Sequence, residues 1–392
     1  MTLHVFNPEH DIALAANLDN FTAPRAGRQL HRDLGFLPML WAEAGDGVLV
    51  DDVEEADASF SQLAAAANEC LGTPIVRKGT WLGSGAELGV VGAVSPWGWD
   101  SALRFRLRQM GVGESGLPDD SRLCHIRSLS HRRTASRLLA LVRDDCPAGT
   151  TGVTPVECFS VGEVESAVAD FRGGVIKAPW SSSGRGVRFV TVAGGGTPSW
   201  QAGDALCGWL RNVICRQGSV MVERTCDKVC DFGMEFEARA DGSVAYCGLS
   251  LFQTVNGAYT GNILATEQTK RRLMARYVSL EILDRVSESI CRRLAVVLQG
   301  HYCGPLGVDM MVCRKDGAHG PEERVDEEGC FLVHPCVEIN LRRTMGHVAL
   351  ALSPSCSGLL GVMQIHAPSA AARSAHYVMT VSRSALPLRA LS

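Results

Sequence analysis

The chain has 392 residues, enough for two or three domains. Apolar residues make up 46% and charged residues 20%, which excludes a disordered or fibrous chain. The net charge of −4 excludes a basic field directed at nucleic acid or an anionic membrane. The start, MTLHVFNPEHDIALA, has no basic run and meets Glu9, His10 and Asp11 at once, so it does not read as a signal peptide. Residues 344–372 carry no Lys, Arg, Asp or Glu, but His347, Pro354, His366 and Pro368 interrupt them, and no spanning helix is expected there. The 15 cysteines include no C-x-x-C pair, and Cys226 and Cys230 have no matching second pair for a zinc site. They read as reduced thiols, buried as small apolar residues in a cytoplasmic protein.

The first third alternates strands and helices. LHVF is a strand, NPEHD breaks it, and IALAANL is a helix. GVLV is the second strand, with SFSQLAAAANEC the helix after it. LGVVGAV is the third strand, closed by SPWGWD, and SALRFRLRQMGV is helical. Such alternation predicts a small parallel α/β domain with ligands at the carboxyl ends of its strands, where NPEHD and PWGWD lie. GVGESGLPDD, near residue 115, reads as a linker.

In the middle, TPVECF is a strand, and Ser160 with Glu163 forms an S-x-x-E box opening the helix VGEVESAVADF. Arg172-Gly173-Gly174 ends it, with glycine supplying the left-handed stop. VIKA, a Ser/Gly loop and VRFVTV follow. VMVE is a strand, and MEFEARADGSVAYCGLSLF folds back at Asp241-Gly242. Leu273, Tyr277, Leu280, Leu283, Val286, Ile290, Leu294 and Val297 mark one face of a long helix stopped by Gly300. KDGAHGPEERVDEEG, 315–329, is a charged insertion between two strands and is expected to be an exposed loop.

VIKAPWSSSGRGV, 175–187, delivers a lysine from a strand into a Gly/Ser loop that returns as a second strand. Walker and dinucleotide loops run into a helix, so neither applies. A hairpin flap can cover phosphates with its amides while the lysine reaches them as a point charge. Downstream, GVDMMV carries Asp309 and VEINLRR carries Glu338 and Asn340. Residues i and i+2 of a strand share a face, so Glu338 and Asn340 point together. Asp309 on a neighbouring strand completes an all-oxygen set suited to Mg2+. The alternative is a buried carboxylate paired with Arg342 or Arg343.

Over residues 121–350 these segments, in order and type, resemble the ATP-grasp superfamily of the carboxylate–amine ligase type, with an ATP-binding domain like those of glutathione synthetase and D-alanine ligase. The resemblance implies an α/β and α+β chain: an ATP-grasp fold preceded by a small parallel α/β domain. It implies residues 1–118 as that domain, 119–220 as the subdomain with the flap, 221–370 as the subdomain with the metal site, and 371–392 as a tail. Lys177 would bind the α- and β-phosphates, and Ser182, Ser183, Gly184, Arg185 and Gly186 would cover the β- and γ-phosphates. Glu223, Arg224, Thr225 and Cys226 would read adenine through their backbone, and Glu235 would take the ribose hydroxyls, with Asp231 the alternative. Asp309, Glu338 and Asn340 would hold one or two Mg2+ ions, Mn2+ being an alternative. Arg342 would lie beside the transferred phosphoryl group. The family has an earlier lysine opening a helix; here SLSHRRTASRLLALV puts Arg133, or Arg132, in its place. Arginine neutralises phosphate in a different geometry.

The implied activity is phosphorylation of a carboxylate by ATP and attack on the acyl phosphate by an amine, giving ADP and phosphate. Partners would be a small carboxylate and a small amine, without nucleic acid or membrane. Substrate candidates are His10, Asp11, Trp97, Trp99, Asp100 and Arg343, together with Tyr259 and Asn262 of NGAYTGN. NPEHD also reads as a helix cap, the tryptophans as interdomain packing and NGAYTGN as a turn. A phosphotransferase and a non-catalytic nucleotide sensor on the same fold are the other function classes; the complete acidic trio speaks against the sensor.

Overall fold

A computed structural model of the chain describes residues 1–181, 184, 186–191, 205–255, 258–315, 330–356, 358–368 and 375–383. The chain opens with β1 (Thr2–Val5), α1 (His10–Ala16), α2 (Arg25–Leu34), β2 (Gly47–Val50), α3 (Val53–Leu71), β3 (Thr80–Gly83), β4 (Ala93–Pro96) and α4 (Ser101–Gln109). The four strands form a parallel sheet in the order β3-β2-β1-β4. The order reverses beside β1, so the segments after β1 and β4 open a crevice at their carboxyl ends. NPEHD and PWGWD are those two segments.

Two local expectations change here. LGVVGAV gives only its last two residues to β4, while TWLG supplies β3. Val90 is 92% exposed, so this apolar run is not a buried strand. Trp81 earns β3 its place by packing edge-on to Phe60 at 5.9 Å. α2 was not expected, because its sequence, RAGRQLHRDL, buries only Asp33 and Leu34.

Next come α5 (Asp120–Leu129), α6 (Arg132–Asp145), β5 (Val156–Cys158), α7 (Val161–Phe171), β6 (Gly173–Lys177), β7 (Val187–Thr191), α8 (Ala205–Gln217) and β8 (Val220–Glu223). Their sheet has the order β5-β8-β6-β7 and is antiparallel. α7 starts as expected: the Ser160 hydroxyl accepts from the Glu163 amide, and the Glu163 carboxylate accepts from the Phe159 amide. It stops differently. Arg172 itself takes the left-handed conformation, with φ 56°, and Gly173 follows with φ 122° as the first residue of β6.

The remainder comprises β9 (Lys228–Ala238), β10 (Val244–Ser250), β11 (Phe252–Val255), β12 (Ala258–Leu264), α9 (Glu267–Met274), α10 (Leu280–Leu298), β13 (Gly304–Arg314), β14 (Phe331–Asn340), α11 (Met345–Leu352), β15 (Gly361–His366) and β16 (Val378–Arg383). β10-β9-β13-β14 and β11-β12-β15-β16 are two further antiparallel sheets. The long helix divides. Leu273 belongs to α9, and Ser279 caps a new helix by accepting from the Ile282 amide. NGAYTGN is mostly strand, running into β12; residues 256 and 257 of it lie outside the described residues, as do 316–329 of the acidic insertion.

One core joins α6 and α10 to β9, β13 and β14 around Phe232, Phe236, Val308 and Val333. Another joins the first and last parts of the chain: Phe6, Phe60 and Leu71 share it with Leu352, Met363 and Val381. Each such side chain contributes about 1.5–3 kcal/mol by leaving water. No disulfide joins any of the cysteines. Among the described residues no helix is long and apolar enough to cross a membrane.

Candidate active site

β13 lies between β9 and β14. Asp309 is opposite Glu338 on one side and Gly233 on the other, while Gly307 is opposite Asn340 and Glu235. Cross-strand partners and i, i+2 neighbours share a face. Glu235, Asp309, Glu338 and Asn340 therefore stand on one face, and the acidic insertion does not prevent the pairing of β13 with β14. Asn340 Nδ2 donates to Asp309 Oδ2 at 3.1 Å. Burial first, then Glu338 and Glu235, push the Asp309 carboxyl up to about 7. Closely set carboxylates with an amide side chain beside them fit a small hard cation.

Glu235 sits deeper than a ribose contact requires. It is 3% exposed, and His347 Nδ1 of α11 lies 3.0 Å from its carboxylate. A Cβ on Gly307 would come within 2.7 Å of its Oε2, so glycine opposite Glu235 makes room for it. Asp231, on the same face of β9, is nearer the 223–226 segment. It accepts from Lys228 at 2.7 Å and from Thr254 at 2.8 Å, with its side chain 20% exposed. The alternative position is thus the accessible one.

Arg132 and Arg133 part at the start of α6. Arg132 is buried, with Nη2 3.0 Å from Glu338 Oε1 and Nε donating to Ala178 O at 3.0 Å. Arg133 turns instead to Glu157, at 2.9 Å, and to the His131 ring. The arginine that reaches the acidic face is therefore Arg132, one residue before the first choice.

Arg342 follows β14 and donates through Nη2 and Nε to Asp11, at 2.8 and 3.1 Å. Burial alone would raise the Asp11 carboxyl, but Arg342, His10 and Arg132 together outweigh it and the net shift is downward. Asp11 thereby ties the segment after β1 to the end of β14. Arg343 points elsewhere: its guanidinium lies 4.3 Å over the Trp41 ring, and its amide donates to Trp97 O at 2.8 Å.

His10 and Asp100 are struts. His10 Nδ1 is 3.1 Å from Asp100, which also accepts from Asn7 Nδ2 at 3.1 Å and from the Leu103 amide at 2.8 Å. They are 1% and 3% exposed. Gly98 is required beside them, because a Cβ there would lie 2.6 Å from the His10 ring. Trp97 is core, edge-on to Phe6 at 4.8 Å, and Trp99 is half-buried packing between two cores. Tyr259 donates to Asn262, which donates to Ser250; both serve internal bonding. Among the substrate candidates, Asp11 is the one whose carboxylate pairs with the Arg342 guanidinium beyond β14.

Lys177 ends β6 with Nζ 2.5 Å from Glu223 Oε2 at the end of β8. The flap root is fixed. The Ala178 amide donates to Gly186 O at 2.8 Å, and Trp180 donates to Arg127 O while the Arg127 guanidinium stacks 3.7 Å over its ring. Gly184 has φ 70°, and a Cβ on Gly186 would collide with Ser181. Ser182, Ser183 and Arg185 lie outside the described residues. Beyond Glu223, the irregular segment containing Arg224, Thr225 and Cys226 leads into β9.

Two residues of β14 escaped the sequence reading. The buried Cys336 thiol is pushed up by burial, then by Asp309, Glu223 and Glu338. Lys177 acts on it in the other direction. Burial holds His334, near Glu223 and Lys177, down at about 4. Both have the parity of Glu338 and Asn340 in FLVHPCVEIN, which was the available signal. They form the seam where the lysine sheet meets the acidic sheet. The arrangement is a small parallel α/β domain followed by an antiparallel sheet that carries Lys177 and another that carries the acidic face.

No protein-family model matches the chain, and no curated protein matches it. Solved structures similar to it include the N5-carboxyaminoimidazole synthetase of Staphylococcus aureus complexed with ADP, at 10% identity and TM-score 0.44, covering 93% of this chain and 82% of that one. Another is the biotin carboxylase domain of the Hydrogenobacter thermophilus 2-oxoglutarate carboxylase in complex with MgADP, ADP and bicarbonate, at 12% identity and TM-score 0.47, covering 93% and 74%. A third is a biotin carboxylase–β,γ-ATP complex from Campylobacter jejuni, at 10% identity and TM-score 0.45, covering 93% and 75%. The chemistry proposed below rests on this chain's own side chains.

Proposed function

We propose that the chain is an ATP- and Mg2+-dependent, ADP-forming ligase that activates a carboxylate as an acyl phosphate and joins it to an amine. The observation that carries this reading is the acidic face of Glu235, Asp309, Glu338 and Asn340, with Arg132 against Glu338. Residues 1–118 are then the preceding domain, 119–220 bring the lysine and flap, and 221–370 bring the metal site. Free thiols throughout support a cytoplasmic setting.

Lys177 exchanges Glu223 for the nucleotide phosphates, and the flap amides close over them. Asp309, Glu338 and Asn340 would hold Mg2+, and the ion would supply positive charge against the negative charge of the phosphoryl group. Arg132 adds a fixed cation between the flap root and Glu338. A substrate carboxylate oxygen attacks the γ-phosphorus and ADP leaves. Arg342, oriented by Asp11, stabilises the carboxylate and then the acyl phosphate by paired hydrogen bonds. The amine nitrogen attacks the acyl carbon, the C–O bond to phosphate breaks, and the amine proton passes to Asp11 or water. Closure over the site keeps water from the acyl phosphate.

The test is ADP release against a panel of carboxylates, with hydroxylamine as the trapping amine. Each carboxylate that stimulates turnover should give its hydroxamate. Steady ADP formation with a phosphorylated alcohol and no hydroxamate would overturn ligation in favour of phosphotransfer.

A further inference from the structure

A cavity of about 450 Å³ lies at the carboxyl end of the parallel sheet. Asn7 and Glu9 after β1, Asp51 after β2 and Asp100 after β4 border it, and α2 and α4 wall it. Lys177, Asp309 and Arg342 do not line it, so it is separate from the acidic face. Its size suits a small molecule. It also occupies the crevice where strand order reverses, where open parallel α/β sheets take ligands.

The charges around it are of both signs and poorly paired. Glu9 Oε1 is 3.4 Å from His31 Nδ1, Arg106 Nη1 is 3.4 Å from His31 Nε2, and Arg106 Nη2 is 3.9 Å from Asp51. Good charge-assisted bonds are about 2.7–2.9 Å, and the chain makes one between Arg342 and Asp11 at 2.8 Å. The second Glu9 oxygen is closed off from solvent and has no hydrogen-bond partner among the described residues. Arg28 spends one nitrogen on Ala23 O. Glu9 and His31 are mostly buried, while Arg106, Asp51 and Arg28 remain open to solvent, so a group entering the cavity meets charges of both signs that are free to pair. Phe21 and Phe105 complete the lining with apolar surface, and Phe105 is 38% exposed.

We propose that this cavity is a second ligand site, for a zwitterion of amino-acid size. The ammonium goes between Glu9 and Asp51, and the carboxylate goes to Arg106 and Arg28. The ligand's side chain lies against Phe21 and Phe105. A cation or an anion alone would satisfy half of these groups and leave the rest apart. Neither nucleotide nor the acidic face takes part, so the inference stands independently of the ligase reading.

The test is isothermal titration of the full chain, without nucleotide, against the free L-amino acids. For the tightest binder, the matching decarboxylated amine and deaminated acid serve as controls. At least one amino acid is expected to bind at millimolar or lower concentration, and both controls about tenfold more weakly. Glu9→Gln and Arg106→Gln should each weaken binding about tenfold. Arg28→Gln, at an exposed position, gives a variant whose folding is not at risk, and it should weaken binding too. A saturating ATP analogue with Mg2+ should leave the amino acid bound. Absence of binding by every amino acid overturns the site, as does binding that survives all three substitutions unchanged. Displacement by the ATP analogue overturns its separateness, and equal binding of a singly charged control overturns the zwitterion.

Discussion

Arg132 and Arg133 are neighbours in sequence with opposite environments. Arg132→Ala removes the cation beside Glu338 and should lower kcat by on the order of 10²-fold, the loss typical of one donor aimed at developing charge. Arg133→Ala breaks a half-exposed pair with Glu157 and should leave kcat within about twofold. Steady-state ADP release on the two proteins checks this, and an unchanged kcat in Arg132→Ala would place Arg132 away from the phosphates. The buried histidines give a pH test. His131 and His334 are held neutral by burial, at about 3 and about 4 against a usual 6.5. Below pH 6.5 the unfolded chain binds protons that the folded one refuses, so their stabilisation is full above 6.5 and is lost as pH falls toward 4. His334→Gln should make the urea midpoint less dependent on pH between 4 and 6.5 than in the parent protein. An unchanged slope would mean that His334 already carries a proton in the fold.

Elements built on local signals were legible. The α7 box, the β6 lysine and the shared face of Glu338 and Asn340 each depend on residues within a few positions. Period-2 geometry is enough to align the last pair. The long helix failed because its apolar stripe runs through Ser279 without a break in period. Only the cap bond shows that α10 starts there. Ser279→Ala should cost about 1 kcal/mol of stability, read by urea denaturation; no loss would mean that the 273–283 stretch can run on as one helix. The flap is a second element-scale case. Its root is bonded through Ala178 and Trp180. Hydrogen exchange at Gly184 and Gly186 should slow on adding an ATP analogue with Mg2+. Equal exchange with and without the nucleotide would leave the hairpin a purely structural turn.

At the scale of the whole molecule, β16 packs into the core that also holds Phe6 and Phe60. Met379 and Val381 are 9% and 7% exposed, so ending the chain at residue 377 should cost about 4 kcal/mol from these two side chains alone. A truncated protein with an unchanged urea midpoint would contradict that packing. The sequence by itself determined the alternation of the first domain, the place of Lys177 at the end of a strand, and the shared face of Glu338 and Asn340. These rest on alternation, capping and the chemistry of short segments, all of which are local. Tertiary structure decided the rest. Asp11 meets Arg342 across a separation of 331 residues, which no spacing rule reaches. Arg132 rather than Arg133 reaches Glu338 because α6 docks on β14 in one rotation. Glu235 is covered and Asp231 accessible because α11 folds over one end of β9. The rotation of a helix and the cover on a strand are set by what packs against them, and that information is spread over the whole chain.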